Sequence, residues 1–522
     1  MVDNQNTGEV DITKITSTAN SMHNFKVLLI HANSSMDTLI PPNLATLSAY
    51  LKKAGIQVKL FDTTFYNTRG FTGDDARVRT LQVKETKFAD LGINFETTDM
   101  VDDFLKMVQE YQPNMVGLSA VELTFQMGMK LINAMKEIRP DIPVIVGGSH
   151  AITSPEKVVK EKNVDIIAIG EAERSFVELC SKLQNQEDYT QTLNMWVKKD
   201  GQIHKNKLGN LIAMDDLPFQ DWEIFDKRRI YKPMSGTIGR TGCFELTRGC
   251  VYSCTFCINE FLNKSHNHRN YRQKSIPKFI EEVQYFKEKY GVEYVYILAE
   301  MFLPTTKERI REFSRLWKEK VGIPFWCQVR VEGVDEENAK LLEEAGCVSV
   351  SAGIESGNEE IRRKLLDRQI SNERLIQGFK FLKQTKMQVS ANSIIGFPTE
   401  TREQIFDTIE VNRAVNLNNI MIHVFNPYRG TSLYEMSVRE GYIPEDHMAG
   451  DYRADFTLNM PQISKEEVLG LQRTFAMYCK FPKEMWSEIK IAEKMDEEGN
   501  KKFAELSEQF KKQFFEKQMM MH

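Results

Sequence analysis

The segment Phe244-Glu245-Leu246-Thr247-Arg248-Gly249-Cys250-Val251-Tyr252-Ser253-Cys254-Thr255-Phe256-Cys257 decides how the second half of the chain is read. Phe244 to Thr247 is a short strand, Gly249 introduces a loop, and the loop carries three cysteines spaced C-x-x-x-C-x-x-C. The same strand-then-helix rhythm recurs downstream. Strands are predicted at Tyr294 to Leu298, Phe325 to Val329, Val348 to Ile354, Val389 to Ile395 and Ile420 to Val424. Helical faces fall between them, such as Ile310, Phe313, Leu316 and Trp317 behind the caps Thr305 and Thr306, and Leu375, Phe379 and Leu382 behind Ser371. Six strand-helix units joined by right-handed crossovers predict a partial (β/α)6 barrel over residues 244–440.

Upstream, apolar runs and helical spacing also alternate, as in a buried parallel sheet. Phe25 to Ile30, Val58 to Phe61, Met115 to Ser119, Val144 to Val146 and Asp165 to Ile169 read as strands. Helices are expected through Leu44, Leu47 and Leu51 up to Gly55, over Asp99 to Tyr111, through Leu131, Met135 and Ile138 up to Pro140, from Pro155, and over Glu173 to Leu183. Residues 62–98 are charged and aperiodic, a long excursion. The sum is an α/β, doubly wound, Rossmann-like domain over residues 25–185. Residues 186–243, rich in Gly and Pro, read as a linker with a hairpin. Residues 441–522 read as a helical C-terminal region in which Phe475, Tyr478, Phe481, Trp486 and Ile489 form an apolar face.

Composition narrows the function classes. The chain has 522 residues with 68 Lys+Arg against 73 Asp+Glu, a net charge of -5, too balanced for the broad basic footprint of a nucleic-acid binder. No apolar run approaches the roughly 18 residues that cross a bilayer, so no transmembrane segment is expected. Residues 1–24 are polar, lack a secretory signature and read as a disordered tail. Eight cysteines are too dilute for a disulfide scaffold and fit a reducing, cytoplasmic setting in which thiols are available as ligands.

Three thiolates within eight residues can converge on one iron-sulfur cluster, whose irons prefer sulfur. A four-iron cube with three protein ligands keeps one iron open, the mark of a catalytic rather than a closed site. Cys243 is not expected to fill it: across an extended Phe244 to Gly249, seven steps of roughly 3.3 Å place it about 20 Å away. A structural zinc site and three buried thiols remain alternatives, although no second ligand pair is evident. His266 and His268 read as loop surface.

The triplet, with Phe256 ahead of its last cysteine, resembles the radical S-adenosylmethionine (SAM) superfamily. That resemblance implies a 4Fe-4S cluster on Cys250, Cys254 and Cys257 that binds SAM through the open iron and cleaves it to methionine and a 5'-deoxyadenosyl radical. It also implies an electron donor such as flavodoxin or ferredoxin. By the same resemblance Phe256, Glu300, Arg330, Glu355 and Ser356 contact SAM. Glu300, after the second barrel strand, suits the ammonium, although the family often carries paired Asp where Ala299-Glu300 stands. Arg330, after the third strand, suits a carboxylate. Glu355 and Ser356 lie in Ser351 to Gly357, which resembles the segment that meets the ribose and methionine parts. Gly396-Phe397-Pro398-Thr399-Glu400-Thr401 and Pro427-Tyr428-Arg429-Gly430-Thr431 match later loops of the family.

In the first domain the ligand edge is expected at the carboxyl ends of the strands: Ser119, Val121, Glu122 and Leu123; Gly147, Gly148 and His150; Gly170 and Glu171. No G-x-G-x-x-G follows the first strand, where His31-Ala32-Asn33-Ser34-Ser35 stands, so a dinucleotide is disfavoured. A doubly wound domain of this kind ahead of such a barrel resembles the cobalamin-binding radical SAM enzymes. The implied architecture is an N-terminal cobalamin-binding domain, a radical SAM partial barrel and a helical C-terminal region. Because the D-x-H-x-x-G signature is absent, the resemblance implies cobalt without a protein imidazole, with Val121 to Thr124 beneath the corrin; a domain that has lost cobalamin remains an alternative. The expected activity is methyl transfer to an unactivated carbon of a small-molecule or lipid-like substrate. The alternatives are a cyclisation, carbon-carbon joining or oxidation without net methyl transfer, and a non-catalytic iron-sulfur sensor.

Overall fold

The computed structural model describes residues 24–34, 39–68, 73–85, 88, 92–234, 237–303 and 305–516, so the expected tail lies outside the described residues apart from Asn24. Two seven-stranded sheets organise them. The first contains β1 (Lys26–His31), β2 (Gln57–Asp62), β3 (Met115–Ser119), β4 (Val144–Gly147), β5 (Ile166–Ala168), β6 (Met195–Lys199) and β7 (Gln202–Lys205), ordered β2-β1-β3-β4-β5-β6-β7. β1 to β5 are parallel, and the order turns back between β1 and β3, the switch point of a doubly wound sheet. These strands read as apolar runs because helices cover both faces. Leu28, Ile30, Val116, Leu118 and Val146 share one core with Phe104, Phe125, Met129 and Ile132 from the helices Met100–Tyr111 and Glu122–Ile138.

Two features differ from expectation. The hairpin read as part of a linker is β6 and β7, which extends this sheet antiparallel to β5 through Ile166 opposite Val197. Its partner strand lies outside the local pattern, so the pairing was not visible in it. The excursion holds a turn at Thr63–Phe65 and a helix at Gly73–Arg79, and its described residues between 73 and 94 belong to the second compact unit.

The second sheet contains β8 (Tyr231–Met234), β9 (Thr237–Glu245), β12 (Tyr294–Leu298), β13 (Phe325–Val329), β14 (Cys347–Glu355), β15 (Gln388–Ile395) and β16 (Asn419–Val424). A two-stranded ladder of β10 (Thr247–Arg248) and β11 (Arg272–Gln273) stands apart from it. The six strands from β9 to β16 are parallel and adjacent in chain order, a partial barrel whose far strand does not return to the first. β9 starts earlier than the expected Phe244 because Gly and Thr dilute its apolar signal, yet Thr241 and Cys243 are buried. Cys243 lies inside this strand beside β12, opposite Tyr296.

The open edge at β16 is covered in part by one side chain and one stretch of backbone. Gln82, from the excursion, receives the Ile422 N–H at 3.0 Å and donates to the Ile422 carbonyl at 3.1 Å, and the Val424 N–H reaches the Tyr452 carbonyl at 2.9 Å. An edge engaged in this way is a poorer template for another strand. The helix Lys465–Lys480 starts with a capping box of Ser464 and Glu467 and brings Phe475 and Tyr478 into one core with Ile395, Ile409 and Ile422; Phe481 and Ile489 join it and Trp486 packs against it. The apolar face read from the sequence is packing against the barrel.

Candidate functional site

The cysteine loop is fixed from several sides. Gly249 has φ +74°, and a Cβ there would stand 2.6 Å from Asn270 Nδ2 and 2.7 Å from its carbonyl oxygen, so only glycine fits. The β10–β11 ladder pins the entry, and the helix Ile258–Ser265 begins directly after Cys257. From that helix the buried Asn263 side chain reaches back to the carbonyls of Cys250 and Tyr252, both at 3.0 Å, and to Ser253 Oγ at 3.1 Å. Thr255 Oγ donates to the Leu365 carbonyl at 2.5 Å, and Glu260 accepts from the Ser432 N–H at 2.8 Å, which ties the loop to later barrel loops. The Phe256 ring stands edge-on to Phe397, 6.0 Å between centres.

Burial raises all three thiols, Cys257 to about 12, and a donor at each sulfur acts against that shift. The Tyr252 backbone serves Cys250, Arg330 Nη1 stands 3.5 Å from Cys254 Sγ, and Asn259 Nδ2 stands 3.6 Å from Cys257 Sγ. Among the described residues no three His, Cys, Asp or Glu side chains gather closely enough to hold a single metal ion. Three sulfurs on one loop, each beside its own donor, fit a four-iron cube, which offers each sulfur its own iron.

The strand ends bring further groups to these sulfurs. Glu300, after β12, is exposed as a residue, but its carboxyl lies among enough protein that burial raises it, against a hydrogen bond from Asn259, and its charge acts on Cys250 and Cys257. Arg330, after β13, faces Cys254 and pairs with Glu332 at 2.7 Å. Glu355 ends β14 with φ +62°, beside Arg368 at 3.4 Å, and burial raises its carboxyl. Ser356 is fully buried, accepts from the Asn358 N–H at 3.2 Å and turns its side chain to Glu400. Glu400 is itself buried; desolvation pushes its carboxyl up to about 8 although Gly396 N–H and Phe397 N–H donate to it at 2.7 and 3.1 Å. Glu300, Arg330 and Glu355 thus meet at the cysteines, and Ser356 does not. Asn259, Asn263, Glu332 and Arg368 went unread. Asn259 and Glu332 stand two residues beyond Cys257 and Arg330, the one local hint available.

In the first unit the expected edge divides. Val121 is 50% exposed at the start of the helix Glu122–Ile138, so Glu122 and Leu123 form its first turn and not a loop. Ser119 Oγ stands 3.4 Å from Asn43 Nδ2. Gly147 ends β4, and Gly148, at φ +96°, lies so close to the chain that a Cβ would stand 2.4 Å from the Ala120 carbonyl oxygen. His150 is not a loop residue: it sits in the short helix Ser149–Thr153, buried, its ring 4.8 Å from that of Phe125. At Gly170 a Cβ would meet Leu208 at 2.8 Å. The Glu171 carbonyl accepts from Asn194 Nδ2 at 2.8 Å and its carboxylate from the Ile212 N–H at 3.1 Å. Glu171 is thus tied to its own domain, and Ser119, Val121, Gly147 and Gly148 leave a backbone-rich edge at the strand ends, suited to a large flat ring such as a corrin.

Comparison with known proteins matches this division. Residues 244–411 match the model of the Radical SAM superfamily, and residues 29–180 that of the B12 binding domain. The chain is 23% identical over 501 residues to the cytidylyl-2-hydroxyethylphosphonate methyltransferase of Streptomyces wedmorensis, covering 86% of this chain and 89% of that protein. It is 24% identical over 350 residues to the anaerobic magnesium-protoporphyrin IX monomethyl ester cyclase of Rubrivivax gelatinosus, 65% of this chain and 61% of that one. In fold it resembles the cobalamin-dependent S-adenosylmethionine radical enzyme OxsB, solved with aqua-cobalamin and S-adenosylmethionine bound: TM-score 0.65 over 94% of this chain and 72% of that chain, at 14% identity.

Proposed function

From a chain that belongs to the radical SAM enzymes with an N-terminal B12-binding domain, we infer a cobalamin-dependent methyltransferase acting on an unactivated carbon. When bound, the cluster supplies the electron that cleaves SAM, and cobalamin carries the methyl group. The protein places and shields. Cys250, Cys254 and Cys257 hold the cluster by three corners, and Asn263 keeps their loop folded. Glu300 receives the SAM ammonium: burial raises its carboxyl, and an arriving cation offsets that cost. Phe256, Arg330, Glu355 and Ser356 belong to the same SAM-binding region, with Ser356 acting through Glu400. Ser119, Val121, Gly147 and Gly148 form the corrin-facing edge, and Glu122, Leu123, His150, Gly170 and Glu171 support it. A flavodoxin or ferredoxin in the cytoplasm is the reductant we assign.

The observation that carries the reading is the triplet loop itself, with a separate donor at each of three sulfurs at the carboxyl end of a parallel barrel. Methyl transfer, rather than another radical outcome, is supported by the relative that aligns with 86% of the chain, a methyltransferase. The test is anaerobic incubation of reconstituted protein with SAM, hydroxocobalamin, a strong reductant and cell extract, with quantification of nucleoside products. Equal S-adenosylhomocysteine and 5'-deoxyadenosine per methylated product are expected. Deoxyadenosine alone would move the activity to cyclisation, carbon-carbon joining or oxidation; neither product from cluster-loaded protein would leave a sensor.

A further inference from the structure

Arg330 was expected to meet a carboxylate of SAM, but its nitrogens already have partners. Its guanidinium lies over the Tyr252 ring, 3.8 Å from the ring centre. Its Nη1 is 3.5 Å from Cys254 Sγ, and its Nη2 and Nε donate to Glu332 Oε1 at 2.7 and 3.2 Å. Glu332 is clamped from its other side by Arg368, whose Nε and Nη2 reach the two carboxylate oxygens at 2.6 and 2.8 Å. Arg368 is buried, 2% exposed, and its Nη1 is 3.4 Å from Glu355. The Glu332 carbonyl is also held, by Arg374 Nη2 at 2.8 Å. Burial would raise the Glu332 carboxyl, but the two guanidiniums hold it down at about 2, so it is an anion at any working pH. A planar, five-donor group is required here: one face stacks, one edge grips a carboxylate and one corner points to sulfur, which a lysine cannot do.

We propose that Arg330 is a positioning residue for electron entry, a cation fixed at the Cys254 sulfur by Tyr252, Glu332 and Arg368 that makes the cluster easier to reduce. The proposal rests on the cluster-binding reading of the triplet. One electron from a low-potential one-electron donor takes the cluster from its 2+ to its 1+ state; no bond breaks and no proton moves. The added charge is negative, so a cation and a hydrogen bond at a ligating sulfur both stabilise the reduced state more than the oxidised one. Glu332 works against this, but it lies beyond Arg330 from the sulfur and is shared with the second cation, Arg368, so the nearer charge dominates.

The experiment is an EPR-monitored redox titration of the full-length, reconstituted protein and its Arg330→Gln and Arg330→Lys variants, with iron content and SAM binding measured alongside. A lower midpoint potential in R330Q, titrated without SAM, a value closer to wild type in R330K, and unchanged iron content are expected. An unmoved midpoint with weakened SAM binding would overturn the proposal and return Arg330 to the SAM carboxylate. If R330Q takes up no iron, wild-type protein labelled with ¹⁵N-arginine decides: pulsed EPR of the reduced cluster should detect a guanidinium nitrogen, and its absence overturns the proposal. Wild-type protein that assembles no cluster would fail the functional reading first, and this proposal with it.

Discussion

At the strand ends of the first sheet the candidate cofactor edge consists mainly of backbone and small or apolar groups, Ser119, Val121, Gly147 and Gly148, next to the buried His150 and to Glu171, whose carboxylate accepts from the Ile212 N–H. At the strand ends of the second sheet the candidate edge consists of charged side chains fastened in sequence, Arg330 to Glu332 to Arg368 to Glu355, around three sulfurs. The difference follows from what each has to hold. A large flat ring is bound through shape and many shallow contacts, and bulk at one position spoils the fit. A small charged cluster that changes charge is governed by the nearest few dipoles and ions, and a misplaced charge spoils its energetics.

If that contrast is right, the second edge fails by loss of a ligand. Cys254→Ala should abolish both the visible absorbance of the reconstituted cluster and SAM cleavage, while leaving cobalamin bound per chain unchanged. The first edge should fail by bulk: Gly148→Ala puts a Cβ 2.4 Å from the Ala120 carbonyl oxygen at φ +96°, a strain of about 1–3 kcal/mol. Cobalamin content and the thermal unfolding midpoint should both fall, with iron content retained. A third difference is pH. The Glu400 carboxyl is raised to about 8 in the folded chain, so between its ordinary value and 8 only the unfolded state ionises and stability falls as pH rises. Glu400→Gln should remove that slope, about 1 kcal/mol per pH unit, from denaturant unfolding between pH 5 and 8. Smallest is Val121→Ser, at a half-exposed position: stability should change by no more than about 0.5 kcal/mol, with weaker cobalamin retention on gel filtration.

The same contrast separates what could be read in the chain from what could not. Met115 to Ser119, Tyr294 to Leu298 and Phe325 to Val329 are strands to the residue, because each is an apolar run with breakers at its ends. β9 was misplaced because Gly239 and Thr241 interrupt its run, and the helix Ser149–Thr153 was missed because five residues are too few to show a period. The triplet was legible because all its ligands sit on one loop. The Glu332 to Arg368 clamp was not, since its partners are 36 residues apart and meet only once the barrel has formed. The Glu171 carboxylate reaches Ile212, 41 residues away, a contact that no local pattern announces.

The open iron corner is the claim on which the enzyme reading stands, and it can be probed directly. Anaerobically reconstituted, dithionite-reduced protein should contain four irons per chain and give a cluster EPR spectrum that changes when SAM is added. A spectrum indifferent to SAM in fully loaded protein would contradict the account.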